Sequence, residues 1–225
     1  MMQNDEAYKY IKFDNVSKTF KNDTVLMNVN FELEKGKIYG FVGRNGSGKT
    51  VIFKLLAGFL IPTEGEVYYK GKSLTKENKF IESLGVLIET PGFIPHYSGM
   101  KNLSILNGLS RDKVSKQDIE SSIALVGLDP KEKKPVKAYS LGMRQKLGIA
   151  QAIMNNPEIL ILDEPMNGLD EASVKNMRKF IMKLKLEKQT TIILASHNKE
   201  DIEILCDKLF YVQGGTVLGE EKCGF

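Results

Sequence analysis

The chain has 225 residues, 42% of them hydrophobic and 27% charged, a globular composition that excludes global disorder and leaves room for one large domain or two small ones. Its 32 basic and 28 acidic residues leave a formal charge of +4, too small a surplus for a nucleic-acid face, so no nucleic-acid partner is expected. No apolar run approaches the ~18 residues of a membrane span, the polar start through Asp5 and Glu6 lacks a signal-peptide core, and Cys206 and Cys223 form neither a metal spacing nor a disulfide framework; a soluble cytoplasmic protein is expected.

Tyr8 to Phe20 is rich in aromatic and β-branched residues and reaches a polar turn at Lys21, Asn22 and Asp23. With Val25 to Leu33 it predicts an antiparallel pair. The apolar run Lys37 to Val42 enters a glycine-rich loop at Gly43, and Val51 to Gly58 predicts a helix that stops near a glycine. Glu66 to Tyr69 and the Gly-Lys-Ser-Leu segment add a small β element. From Gly99 to about Pro135, Leu103, Leu106, Leu109, Ile119, Ile123 and Val126 recur at helical steps, broken at Gly127 and Pro130. Ile159 to Leu162 and Thr191 to Leu194 are continuous apolar runs, as in strands buried on both faces of a parallel sheet. Leu209 to Leu218, interrupted by Gly214 and Gly215, predicts a closing hairpin. The lysine runs at 131–134 and 183–188 are expected to be solvated helix ends.

Two segments carry chemistry. Gly43-Arg44-Asn45-Gly46-Ser47-Gly48-Lys49-Thr50 fits the G-x-x-x-x-G-K-[ST] phosphate loop, with a strand before it and a helix, starting at Val51, after it. Glycines let backbone N–H groups converge on phosphate oxygens, and the helix start adds positive potential. Lys49 would reach the terminal phosphates and Thr50 would ligate Mg²⁺. The run Ile159 to Leu162 delivers Asp163 and Glu164 at a strand's C-terminal end, where ligands bind in open α/β sheets. Asp163 would hold Mg²⁺, and Glu164 is the candidate to orient the attacking water.

Upstream of that strand stands Tyr139-Ser140-Leu141-Gly142-Met143-Arg144-Gln145. Ser140 is a good N-cap, and a serine hydroxyl with exposed helix-start amides makes a second phosphate-binding surface. In this order the motifs resemble, over essentially the whole chain, the nucleotide-binding subunits of ATP-binding-cassette (ABC) transporters. The resemblance implies a P-loop NTPase α/β fold with a mostly parallel core sheet, an N-terminal antiparallel β subdomain and a helical signature subdomain. It implies one nucleotide-binding domain over residues 1–225, the helical part at about 95–145. It implies ATP and Mg²⁺ as cofactors, and hydrolysis by Glu164, His197 and Lys49. ATP would be bound by Phe20, by Gly43 through Val51 and, from a second copy, by Ser140 and Gly142. The partners implied are that second copy, in a head-to-tail dimer with ATP at the interface, and separate permease subunits. Through these the protein would sit on the inner face of the membrane. Asp170, after Asn167-Gly168-Leu169, matches the segment that contacts the partner copy, and Phe20 stands where an aromatic stacks on adenine. Phe93 to Tyr97 is the candidate docking surface for the permease; His96 is a surface or interface residue.

Departures narrow the resemblance. Glu89 replaces the usual glutamine: either its carboxylate still ligates Mg²⁺, close to Glu164, or it never reaches the ion. Tyr139, Leu141 and Met143 replace signature residues while Ser140 and Gly142 remain. This combination resembles the bacitracin- and lantibiotic-type exporters and immunity transporters, which implies export of, or self-protection against, a peptide antibiotic. The alternatives are a non-transport cassette ATPase, a nucleotide-sensing regulator and a small-molecule kinase, the last leaving Ser140, Glu164 and His197 unexplained.

Overall fold

The computed structural model describes residues 10–75 and 80–222; Tyr8, the N-terminal acidic residues and Cys223 lie outside them. β1 (Ile11–Phe20) and β2 (Asp23–Leu33) pair antiparallel, joined by a tight turn at Lys21 and Asn22. β4 (Glu64–Tyr69) lies on the other side of β1, and β5 (Lys72–Ser73) completes a four-stranded antiparallel sheet.

The second sheet has six strands in the order β10-β9-β3-β8-β7-β6. They are β3 (Ile38–Val42), β6 (Leu84–Leu87), β7 (Ile159–Asp163), β8 (Thr191–Ala195), β9 (Lys208–Gln213) and β10 (Thr216–Lys222). Every pairing is parallel except the closing β9–β10 hairpin. The apolar runs of β7 and β8 have a physical cause in this geometry. Successive side chains face opposite sides of a strand, and both sides are covered. Leu160, Leu162, Ile192 and Leu194 enter a core shared with the helices. Ile159, Ile161, Ile193 and Ala195 enter a second core, beneath the antiparallel sheet. Aromatic rings fill that second core: Phe13 stacks on Phe31 at 4.3 Å, and Phe41 packs edge-on against Phe31 and Phe53.

α1 (Lys49–Leu56) follows β3 directly. The remaining helices are α2 (Gly99–Leu109), α3 (Lys116–Leu125), α4 (Leu141–Ile153), α5 (Glu171–Lys188) and α6 (Lys199–Leu205). Each of these five begins with a side-chain cap, from Ser98, Ser115, Ser140, Asp170 and Asn198, which satisfies an otherwise orphaned first-turn amide.

Two expectations need correction. The helical stretch from Gly99 breaks at Ser110 as well as at Gly127, because α2 ends at Leu109; that leucine is 81% exposed and belongs to no core stripe. Lys131 to Lys134 lie in the loop between α3 and the short 3₁₀ turn at Val136–Ala138, not on a helix end.

Candidate functional site

The phosphate loop fills the step from β3 to α1. Gly43 has no room for a side chain, since a Cβ there would meet the Val212 carbonyl at 2.2 Å and Ser47 Oγ at 2.7 Å. Gly48 caps α1 with φ 112°, a conformation open to glycine and costly to other residues. The Gly214–Gly215 turn fastens the loop to β2: Gly215 N–H donates to the Ser47 carbonyl, and its own carbonyl accepts from Met27 N–H.

Lys49 is buried, and its ammonium donates to the Gly43 and Arg44 carbonyls at 2.7 and 3.1 Å. The Thr50 hydroxyl donates to Asp163 Oδ2 at 2.9 Å, joining the start of α1 to the end of β7. Glu164 follows with φ 51°, a left-handed backbone uncommon outside glycine. Its N–H donates to the Ala195 carbonyl, so the turn hangs on β8. His197, just past β8, donates its backbone N–H to Glu164 Oε2 at 3.2 Å and brings Nε2 within 3.1 Å of Oε1. The ring contact is not a directed hydrogen bond, and Oε1 stays buried without a hydrogen-bond partner. Burial raises the Glu164 carboxyl above the ordinary range; His197 opposes the rise and Asp163 adds to it. A carboxylate moved in that direction is a better proton acceptor near neutral pH.

These side chains line one cavity of about 390 Å³, within the size range of ligand pockets. Two of its oxygens fit the groups that ATP hydrolysis requires. Ser47 Oγ is buried without a partner and can donate to a phosphate oxygen, while Glu164 Oε1 can accept from a water. Among the described residues no cluster of three or more His, Cys, Asp or Glu forms a closed metal cage. The Thr50 hydroxyl and Asp163 carboxylate together suit Mg²⁺, which takes few protein ligands and completes its shell with phosphates and water.

The family model described as ABC transporter matches residues 26–167, which include the phosphate loop, Ser140 and the Asp163-Glu164 strand end. The chain belongs to the ABC transporter family. It is an ATP-hydrolysing subunit of that family, and its fold is the ABC ATPase fold. It is 42% identical over 212 residues to the bacitracin transport ATP-binding protein BcrA of Enterococcus faecalis, covering 93% of this chain and 68% of that protein. It is 35% identical to the lantibiotic transport ATP-binding protein SrtF of Streptococcus pyogenes, over 94% of this chain and 90% of that one. A solved dimeric structure of a bacterial ABC transporter cassette, MJ0796, superposes with a TM-score of 0.87 at 25% identity, over 96% of this chain and all of that one.

Within this ABC subunit the residues singled out in the sequence fall into two groups. Asn45 to Val51, Asp163, Glu164 and His197 line the cavity, and Glu89 reaches it too. The Glu89 carboxylate, however, pairs with Lys54 at 2.6 Å, so the expected crowding against Glu164 gives way to an ion pair, and the acidic neighbour that raises Glu164 is Asp163. Phe20, Gly43, Arg44, Ser140, Gly142 and Asp170 do not line it. The Phe20 ring is 40% exposed with the Lys18 ammonium 5.1 Å above it. Ser140 is exposed and caps α4, its Oγ accepting from Met143 N–H. Gly142 lets α4 approach the next turn, because a Cβ would lie 2.7 Å from the Gly168 carbonyl. Asp170 caps α5 through Ser173, whose backbone N–H holds the carboxyl below its usual range.

Sequence reasoning gave no role to two further residues. Gln145 donates Nε2–H to the Glu164 carbonyl at 2.9 Å, tying α4 to the chemical centre. Asn102 is 3% exposed and bonds to the Ile94, Tyr97 and Ser98 carbonyls and the Ile94 N–H, setting the shape of the 94–98 loop. A lone amide on a helix carries no pattern that would announce either.

Proposed function

We propose that two copies of this subunit close on ATP, the phosphate loop of one and the α4 start of the other gripping the same triphosphate, and that hydrolysis reopens them to drive separate permease subunits. The observation that carries this reading is that Ser140 is exposed and does not line the cavity of its own chain, although Leu141 and Gln145 of the same helix do: a capped, exposed helix start at the cavity's edge is an anion site that a second molecule can use. Lys49 would turn from the loop carbonyls to the terminal phosphates, and Thr50 and Asp163 would hold Mg²⁺, whose charge offsets that of the phosphates. Glu164 takes the proton of the attacking water, while His197 fixes the carboxylate. Losing the γ-phosphate removes contacts present only in the closed pair, which shifts the population toward the open one.

The permease is proposed to meet the 93–97 loop, where Ile94 and Tyr97 are 42% and 44% exposed on a segment braced by Asn102, and His96 is exposed beside them. Among the described residues no helix is long and apolar enough to cross a membrane; placement on the inner membrane face would come through that permease. Likeness to the bacitracin and lantibiotic transport proteins, with Glu89 and the Tyr139-to-Met143 segment, supports a peptide antibiotic as cargo. Deleting the gene and measuring growth inhibition by bacitracin and by a lantibiotic tests the cargo; unchanged sensitivity to both would remove it. For the ATP sandwich, the Glu164→Gln variant should elute from a sizing column as a dimer with MgATP and as a monomer without it.

A further inference from the structure

A buried charged cluster outside the cavity has no part in the chemistry above. Asp201, in the first turn of α6, is 1% exposed. Arg178, two turns into α5, donates Nε–H to its Oδ1 at 2.7 Å and reaches exposed Glu200 at 3.0 Å. The other Asp201 oxygen accepts the hydroxyl of buried Ser196 at 2.9 Å. A hydroxyl has one proton. With that proton committed to Asp201, the lone pairs of Ser196 Oγ are left for the Asn198 N–H, which donates to it at 3.1 Å. The Asn198 side chain in turn caps α6 through Glu200 N–H. Both neighbours of His197 are thereby fixed, and His197 is the residue whose N–H and ring meet the two Glu164 oxygens.

We propose that Asp201, held by Arg178, is a positioning residue for hydrolysis: through the Ser196 hydroxyl it clamps the 196–198 turn so that His197 is presented to Glu164. α5 is the helix that Asp170 caps, so the clamp also joins the 165–170 turn to the His197 turn through one rigid element. A plain fastener between α5 and α6 would need only the Arg178–Asp201 pair, and a buried ion pair is itself a weak source of stability. The Ser196 hydroxyl satisfies the second Asp201 oxygen, as a buried carboxylate requires, and because the same Oγ accepts from Asn198 N–H it also ties the pair to the turn that carries His197. The inference rests on the assignment of Glu164 and His197 to the attacking water.

The test is steady-state phosphate release by the full chain against ATP concentration, with thermal melting alongside. Ser196→Ala and Asp201→Ala should each lower kcat about tenfold, the size of one hydrogen bond's net worth, with KM for ATP within about twofold. The double variant should be no slower than the slower single one, because both remove one link. Asp201→Asn, which keeps an acceptor for Ser196, should recover most of the rate, and Glu200→Ala should match the wild type. Should Asp201→Ala fail to fold, Ser196→Ala carries the test alone. A wild-type kcat in Ser196→Ala while Glu164→Gln is inactive overturns the clamp and leaves the Glu164 assignment standing. A parallel rise in KM overturns it too, since nucleotide grip would then be what was lost. A wild-type rate in Glu164→Gln overturns the underlying assignment and the clamp with it.

Discussion

The phosphate loop with its strand ends and the start of α4 are both proposed as anion sites, yet they are finished in different ways. In the first, each group is held by another part of the same chain: Lys49 on the loop carbonyls, Thr50 on Asp163, His197 on Glu164. In the second, the capping serine has a local partner. Ser140 takes the Met143 N–H, Leu141 beside it is 55% exposed, and a helix's first amides have no partner within the helix. Strand ends of a sheet buried on both faces converge because the core fixes them. The α4 start keeps Ser140 exposed behind its cap while Gln145, one turn on, ties the helix to the Glu164 carbonyl, so it is complete as local structure while still able to accept a ligand. The proposed division of labour rests on this difference: one chain assembles the Glu164 site alone, and a second copy would be needed to surround the triphosphate.

The sharpest way to test that contrast is on the assembled half. Glu164→Gln should slow phosphate release by roughly a hundred- to ten-thousand-fold, the range for a positioned general base, while a filter-binding assay still shows bound ATP. It also carries a signed pH effect. Burial raises this carboxyl, so over an interval above about pH 4.3 the folded chain keeps a proton that the unfolded chain has lost. Stability therefore falls as pH rises through that interval, up to the raised folded-state value. The Gln variant lacks this loss: it should melt above the wild type at about pH 7.5, and the gap should close below about pH 4. An equal melting temperature across the range would mean that the carboxylate is not destabilised by its site.

Next in size is Lys49→Ala, expected to cost roughly a hundred- to a thousand-fold in rate, the range for removing one donor aimed at developing charge, with ATP binding weakened as well. Because the ammonium also satisfies two loop carbonyls, a small loss of melting temperature should accompany it. On the α4 side the pattern should differ. Ser140→Ala removes a cap worth about 1 kcal/mol and should lower Tm by about 2–4 °C for a chain of this size. ATP binding by the monomer should be unchanged, since Ser140 is outside its own cavity. In the Glu164→Gln background the same change should abolish the MgATP dimer on a sizing column; a dimer of undiminished yield would break the proposed division of labour.

What could be read in advance follows the same division. Gly43 to Thr50 and Asp163-Glu164 were legible because their roles depend on backbone conformation and strand ends, which local sequence dictates. The runs at Ile159 and Thr191 announced a two-sided sheet because periodicity records burial directly. Gln145, Asn102 and Asp201 were not legible: each acts through a bond whose partner is chosen by packing, and a polar residue on a helix looks the same whether it faces water or a carbonyl. Leu109 misled for the converse reason, since a helical step continues to match after the helix has left the core.

Glu89 lies on the boundary between these cases and offers the smallest and most discriminating effect. Its φ of 58° is a left-handed conformation costing on the order of 1 kcal/mol for a residue with a side chain, and its carboxylate is 62% exposed in the pair with Lys54. Such a pair contributes at most about 1 kcal/mol, so neither partner is locked and the carboxylate is free to leave Lys54 for a cation. If it does, Glu89→Gln should keep the rate within about threefold, because an amide oxygen can still coordinate, whereas Glu89→Ala should raise the Mg²⁺ concentration needed for half-maximal rate. Glu89→Gly separates function from fold: it relieves the backbone strain and should melt no lower than the wild type, yet show the same Mg²⁺ requirement as Glu89→Ala. Lys54→Ala should shift that requirement the opposite way, since the competing cation is gone. If all four titrate with Mg²⁺ as the wild type does, Glu89 serves only to anchor the loop on α1, and the ligand role belongs to Thr50 and Asp163 alone.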